Sequence, residues 1–146
     1  MSFREKDFSV KQKRALKNLI RSLPRPKTKT AQSFLLDYVS FEAVARKVWN
    51  YSRKIKNKNA SDSYAGIPSN SLKNSLKAFN VQLDPVVIEK LLSSSLRTRG
   101  EKSARNLRNA LVHQWSEADC NEAKERFIEL RRLIDKFLVS VKEKIK

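Results

Sequence analysis

The stretch TAQSFLLDYVSFEAVARKVWNYSRKIK, residues 30–56, decides the fold. Phe34, Tyr38, Phe41, Ala45, Val48 and Trp49 recur at helical spacing and form one broad apolar face. That breadth predicts a long helix at the centre of the molecule. By the helical step of about 100°, Glu42 projects between the directions of Leu35 and Trp49. A carboxylate there either snorkels to water from the edge of the apolar face or needs a partner, for which arginine is suited. Trp49 falls squarely on the stripe and reads as core.

On the N-terminal side, Leu16, Leu19, Ile20 and Leu23 give a second helical stripe that ends at Pro24 and Pro26. Arg14, Lys17 and Arg21 lie on its other face, either as a solvated surface or as a contact for nucleic acid. A basic linker over residues 24–30 follows. On the C-terminal side, residues 52–70 are polar and have the composition of a mobile loop, with Tyr51 and Tyr64 flanking it as solvated aromatics. Pro68 and Ser69 open a short helix bearing Leu72, Leu76 and Phe79. Asp84-Pro85 is an N-cap followed by proline at the first helical position, opening a helix that packs through Ile88, Leu91 and Leu92. Another helix is expected from near Gly100 to Trp115, with Ala104, Leu107 and Leu111 inside. Ser116 and Asp119 look like the cap of a last helix over residues 117–144, built on Phe127, Leu130, Ile134, Phe137 and Val141. No strand-like alternation occurs. The expectation is an all-α, up-and-down bundle of five or six helices in a single domain, 1–146, made of a basic N-terminal helix (1–24), the linker (24–30) and the bundle (30–146).

Composition narrows the function. The 146 residues contain 32 Lys+Arg against 15 Asp+Glu, a formal charge of +17, which predicts a polyanionic partner, RNA or DNA first. Apolar runs such as Phe34-Leu35-Leu36 are far shorter than the roughly 20 residues needed to span a bilayer. The N-terminus lacks the apolar centre of a signal peptide, and the single cysteine, Cys120, permits no internal disulfide. A cytoplasmic protein with no membrane association is expected. Two glycines cannot build a Gly-rich phosphate loop, and one histidine with one cysteine cannot build a zinc cluster. No metal or cofactor is expected.

The only histidine, His113, lies in Ser103-Ala104-Arg105-Asn106-Leu107-Arg108-Asn109-Ala110-Leu111-Val112-His113-Gln114-Trp115. Imidazole is the side chain that titrates nearest neutral pH, and arginine offers a planar fork for phosphate oxygens. A lone histidine near a helix end is also what a capping or packing residue looks like. Arg108 and His113 are about 140° apart in direction and roughly 7.5 Å apart in rise, so one chain focuses them poorly on one phosphate. Asn109 shares a face with His113, and Arg105 with Arg108; with Arg97, Arg99 and Lys102 just upstream, the segment presents a cluster of RNA-phosphate-binding cations leading up to the imidazole. The predicted last turn of the helix favours a cation at His113. Cleaving RNA by its own 2′-hydroxyl requires a base, an acid and a ligand for the developing charge, and no metal. One chain supplies one imidazole, whereas two chains about a two-fold axis supply two imidazoles and two motif guanidinium groups.

The Arg108-Asn109-x-x-x-His113 string, late in a basic all-helical domain, resembles the HEPN superfamily, whose hallmark is Arg, four to six residues and His, commonly with Asn after the Arg. The resemblance covers the motif helix tightly and the helices around it loosely. It implies metal-independent endoribonuclease activity at a composite site in a homodimer, as in toxin–antitoxin, abortive-infection and CRISPR-associated systems. It makes RNA the substrate and an acidic antitoxin protein a possible partner. Under it, His113 is the general acid/base, Arg108 the phosphate and transition-state ligand, and Asn109 an orienting residue. Some members hold the motif arginine with an acid from an earlier helix; Glu42, with Asp37 behind it, stands in that place here.

Two other functions fit the same residues. In a non-catalytic nucleic-acid-binding domain, Arg108 and His113 would only contact phosphates. In an interaction module, the helices would form a platform for an acidic protein. Trp115, beside the motif, fits either interface packing or a stacked base.

Overall fold

The computed structural model describes residues 6–94 and 101–146, and within them every regular element is an α-helix. In chain order these are α1 (Val10–Arg21), α2 (Ala31–Lys56), α3 (Ser69–Ala78), α4 (Pro85–Leu92), α5 (Ala104–Gln114), α6 (Glu117–Glu125) and α7 (Phe127–Lys144). The all-α bundle expected from the sequence is therefore observed. No helix among the described residues is long and apolar enough to cross a membrane.

Local chemistry explains most of the boundaries. Ser9 and Gln12 form a reciprocal capping box at the start of α1, and Thr30 accepts from the Ser33 N–H at the start of α2. Asp84 caps α4 ahead of Pro85, as its sequence signature predicts. Ser103 and Ser116 cap α5 and α6 through the N–H groups of Asn106 and Asp119.

Among the described residues there is one helix more than the upper expectation of six, because the helix expected over residues 117–144 is broken at Arg126 (φ −95°, ψ 7°). The reason is tertiary. α6 lies against α5 and α2, whereas α7 lies against α2 and α4. Arg126 fixes the corner, donating to the Lys102 carbonyl at 2.8 Å and to the carboxylates of Glu122 at 2.7 Å and Glu129 at 3.3 Å.

α2 is the central helix, packed against α1, α3, α5, α6 and α7. Phe34, Tyr38, Phe41, Val44, Ala45 and Val48 are all essentially fully buried, and Phe41 meets Phe137 of α7 edge-on at 4.9 Å. Trp49 is half-buried, with the Arg53 guanidinium 5.6 Å from its ring centre. Leu16 of α1 joins the same core, so the N-terminal helix is part of the bundle.

The buried polar residues of α2 hold the chain on either side of it. Asp37 receives Arg25 Nε from the linker at 2.6 Å, and Ser40 donates to the carbonyls of Leu36 (2.9 Å) and Pro24 (3.4 Å). Arg25 thus turns inward, also reaching Asp135 at 2.5 Å, while Arg131 of α7 donates to the Pro26 carbonyl at 2.7 Å. At the other end, Arg46, Asn50 and Arg53 share one face of α2. They donate to the carbonyls of Ala65 (2.8 Å), Ser63 (3.1 Å) and Ser61 (2.8 Å). Asn50 also accepts from the Ser63 N–H at 2.8 Å. An extended chain has alternate carbonyls on one side, and their spacing is close to one helical turn. The segment expected to be a mobile polar loop is therefore a latch that returns the chain along α2. From its end α3 runs back beside α2, until Phe79 stacks at 4.1 Å on Phe8, which in turn meets Tyr51. Tyr51 is half-buried rather than a solvated aromatic.

Candidate functional site

Ala104, Leu107 and Leu111 bury the inner stripe of α5, as the periodicity predicts, and this fixes where the motif residues point. Arg105, Arg108 and Asn109 are half-buried at the flanks, and Val112, His113, Gln114 and Trp115 are exposed at the C-terminal end. Arg108 Nη1 donates to Asn109 Oδ1 at 2.9 Å, so the asparagine restrains the guanidinium of its neighbour. His113 occupies the last turn of α5 and makes no hydrogen bond or ion pair among the described residues. Trp115 ends the helix in the left-handed conformation (φ 49°, ψ 43°), donating its N–H to the Leu111 carbonyl at 2.9 Å. That conformation is disfavoured for a bulky residue by about 1–2 kcal/mol. It leaves the indole 45% exposed, three residues from Val112, which is 56% exposed. The two apolar side chains bracket His113.

α2 supplies the opposite wall. Burial pushes the Tyr38 phenol above its usual range, the Glu42 charge adds to this, and Arg105, Arg108 and Arg46 act against it. Four charged groups from two helices thus act on one buried hydroxyl, Tyr38 itself being part of the core as its periodicity predicts. Arg46 was legible only as the residue one turn after Glu42. Glu42 is 30% exposed at its side chain, and its ion pair is with Arg46 at 3.9 Å. It forms no ion pair with Arg108 among the described residues. The Arg105 guanidinium lies against Gly66, where an added Cβ would stand 2.9 Å from Nη2.

Other expected site residues are placed elsewhere. Asp37 does not back up Glu42 toward the motif arginine: it is 1% exposed and held by Arg25, with Arg131 at 3.9 Å. A buried carboxylate takes the nearest guanidinium able to satisfy it, and the linker supplies that group. Lys102 is tied to Asp119 at 3.2 Å and Glu122 at 3.9 Å, so it joins α5 to α6 instead of standing free for phosphate. The hydrogen bond from Ser116 opposes burial and, with Lys102, holds the Asp119 carboxyl below its usual range. Arg97 and Arg99 lie outside the described residues. Cys120 is a half-buried free thiol.

Arg14, Lys17 and Arg21 line a groove of about 340 Å³ with Lys13 and Asn18. Lys17 and Arg21 continue into a second groove with Lys142 and Lys146 around Ile20 and Ile145. The lysines at the end of α7 were invisible as part of this face, since nothing in the sequence joins residues 142–146 to α1. Lys142 stands about 24 Å along α7 from Arg126, which is bonded to the start of the motif segment. The cations of α1 and the end of α7 therefore stand apart from those at the start of the motif segment. No group of three or more His, Cys, Asp or Glu side chains among the described residues is arranged to hold a metal ion.

Comparison with known proteins adds no assignment: no protein-family model matches the chain, and neither any curated protein nor any solved structure matches it significantly.

Proposed function

We propose that this protein is a metal-independent endoribonuclease of HEPN type, acting in the cytoplasm as a homodimer within a toxin–antitoxin or phage-defence system. The observation that carries this reading is the arrangement on α5: Arg108 restrained by Asn109, and His113 free and exposed at the end of the same helix. Val112 and Trp115, exposed on either side of His113, supply apolar surface for a second copy. In the dimer, His113 of one protomer removes the 2′-hydroxyl proton. The 2′-oxygen attacks the adjacent phosphorus, and His113 of the partner protonates the departing 5′-oxygen. Arg108 stabilises the negative charge on the phosphoryl oxygens. The products are a 2′,3′-cyclic phosphate and a 5′-hydroxyl. Glu42 pairs with Arg46 beside Tyr38, and an acidic antitoxin protein would neutralise the basic surface.

A non-catalytic nucleic-acid-binding domain is favoured by a different observation, the cationic face shared by α1 and the end of α7. Incubation with labelled RNA in EDTA at physiological salt separates the two. The expected result is cleavage leaving 2′,3′-cyclic phosphate ends, falling by about 10²-fold or more in His113→Ala and Arg108→Ala. Intact RNA with binding retained would replace the nuclease by the binding domain.

A further inference from the structure

We infer that the cleft beside Glu42 is a subsite for one unstacked nucleobase of a single-stranded RNA, guanine before uracil. This rests on reading Arg105 and Arg108 as ligands of an RNA phosphate. The cleft has a volume of about 370 Å³ and lies between α1, α2 and the latch. Leu19, Val39 and Ala43 give it apolar wall, Glu42 and Lys47 give it polar groups, and Tyr64 stands at its rim.

Three features argue for a base. The first is Tyr64 itself, 80% exposed although the backbone on both sides of it is bonded to α2 through Ser63 and Ala65. An aromatic ring carried at a cleft mouth by a fixed backbone is a stacking platform whose main-chain ordering precedes binding. The second is Glu42. Its carboxylate makes no hydrogen bond among the described residues, and its ion pair with Arg46 is long at 3.9 Å. A carboxylate with free oxygens matches the paired N1–H and N2–H donors of guanine, and it opposes the two carbonyl oxygens of uracil.

The third is continuity with the phosphate ligands. Arg46 lines the cleft and donates to the Ala65 carbonyl at 2.8 Å, while the next residue, Gly66, abuts the Arg105 guanidinium. Residues 65 and 66 thus lie between the cleft and the α5 cations. A bound nucleotide would place its phosphate at Arg105 and its base across residues 65 and 66 in the cleft. Gly66 matters here because a side chain at that position would displace the arginine.

The test is an NMR titration of the labelled full-length chain with 5′-GMP, 5′-UMP and ribose 5-phosphate, beside Tyr64→Ala and Glu42→Gln. GMP is expected to move the Tyr64 ring and the Ser63 and Ala65 amides saturably, with affinity about tenfold lower in either variant. UMP should bind more weakly, and ribose 5-phosphate should leave the Tyr64 ring unmoved. Equal responses to all three compounds, or unchanged GMP affinity in both variants, would overturn the subsite. RNA cleavage is scored separately, with cut sites mapped for the parent and Tyr64→Ala. If the parent binds GMP as expected but cleaves nothing, the subsite stands and the nuclease reading falls. If it cleaves at the same positions in both proteins while GMP leaves Tyr64 unmoved, the nuclease reading stands and the subsite falls.

Discussion

Asp37 brings a carboxylate into the face of α2 that faces the core, and its position there follows from the helical step alone. Its partner does not. Arg25 precedes it by twelve residues, with Pro26 between them, and Asp135, which shares that arginine, is 110 residues from Arg25. Nothing in the composition of the basic linker marked an inward-facing residue, yet one guanidinium in it is what allows Asp37 to be buried. Removing that group strands a charge. Arg25→Ala is expected to lower stability by about 3 kcal/mol, the lower end for a broken buried pair. Urea unfolding at neutral pH measures it, and Asp37→Asn should recover part of the loss in the double variant. A double-mutant coupling near zero would reduce the contact to a surface pair.

At the level of elements, caps and apolar periodicity were legible because both act within one or two turns. Asp84-Pro85 and Ser116 with Asp119 mark helix starts through bonds no longer than the motif itself. The break at Arg126 was not legible, since no proline or glycine stands there and the corner exists to let α6 and α7 meet different neighbours. The latch was equally hidden: its bonds join a polar loop to the buried side of a helix. Asn50 donates to the Ser63 carbonyl and accepts from the Ser63 N–H, so Asn50→Ala leaves that N–H without a partner while Arg46 still donates to the carbonyl. Amide exchange at Ser63 is expected to rise sharply, with a cost of about 1–3 kcal/mol from the unmade bonds. Protection at Ser63 equal to the parent would show that the arginines alone hold the loop.

Over the whole molecule, part of the +17 charge gathers on the described residues in two places, α5 with its neighbours on α2 and α1 with the end of α7. The second has the character of a backbone track, with cations set around shallow grooves. Changing Arg14, Lys17, Arg21 and Lys142 together to Gln is expected to reduce the salt slope of single-stranded RNA binding by about 3 if each meets a phosphate. The measurement uses the His113→Ala background, so that RNA survives, across about 50–200 mM salt. An unchanged slope would make this a solvated face.

The sequence by itself determined the class of fold, the central place of α2, the inner stripe of α5 and the helix end at which His113 stands. Each follows from spacing along one helix or from a cap a few residues long. The tertiary structure alone decided which acid meets which arginine, that Tyr38 lies within the field of the α5 cations, and that a polar loop lines a cleft. Those depend on contacts between residues distant in the chain, and the energy that selects them is the burial of whole faces together with the pairing of every buried charge.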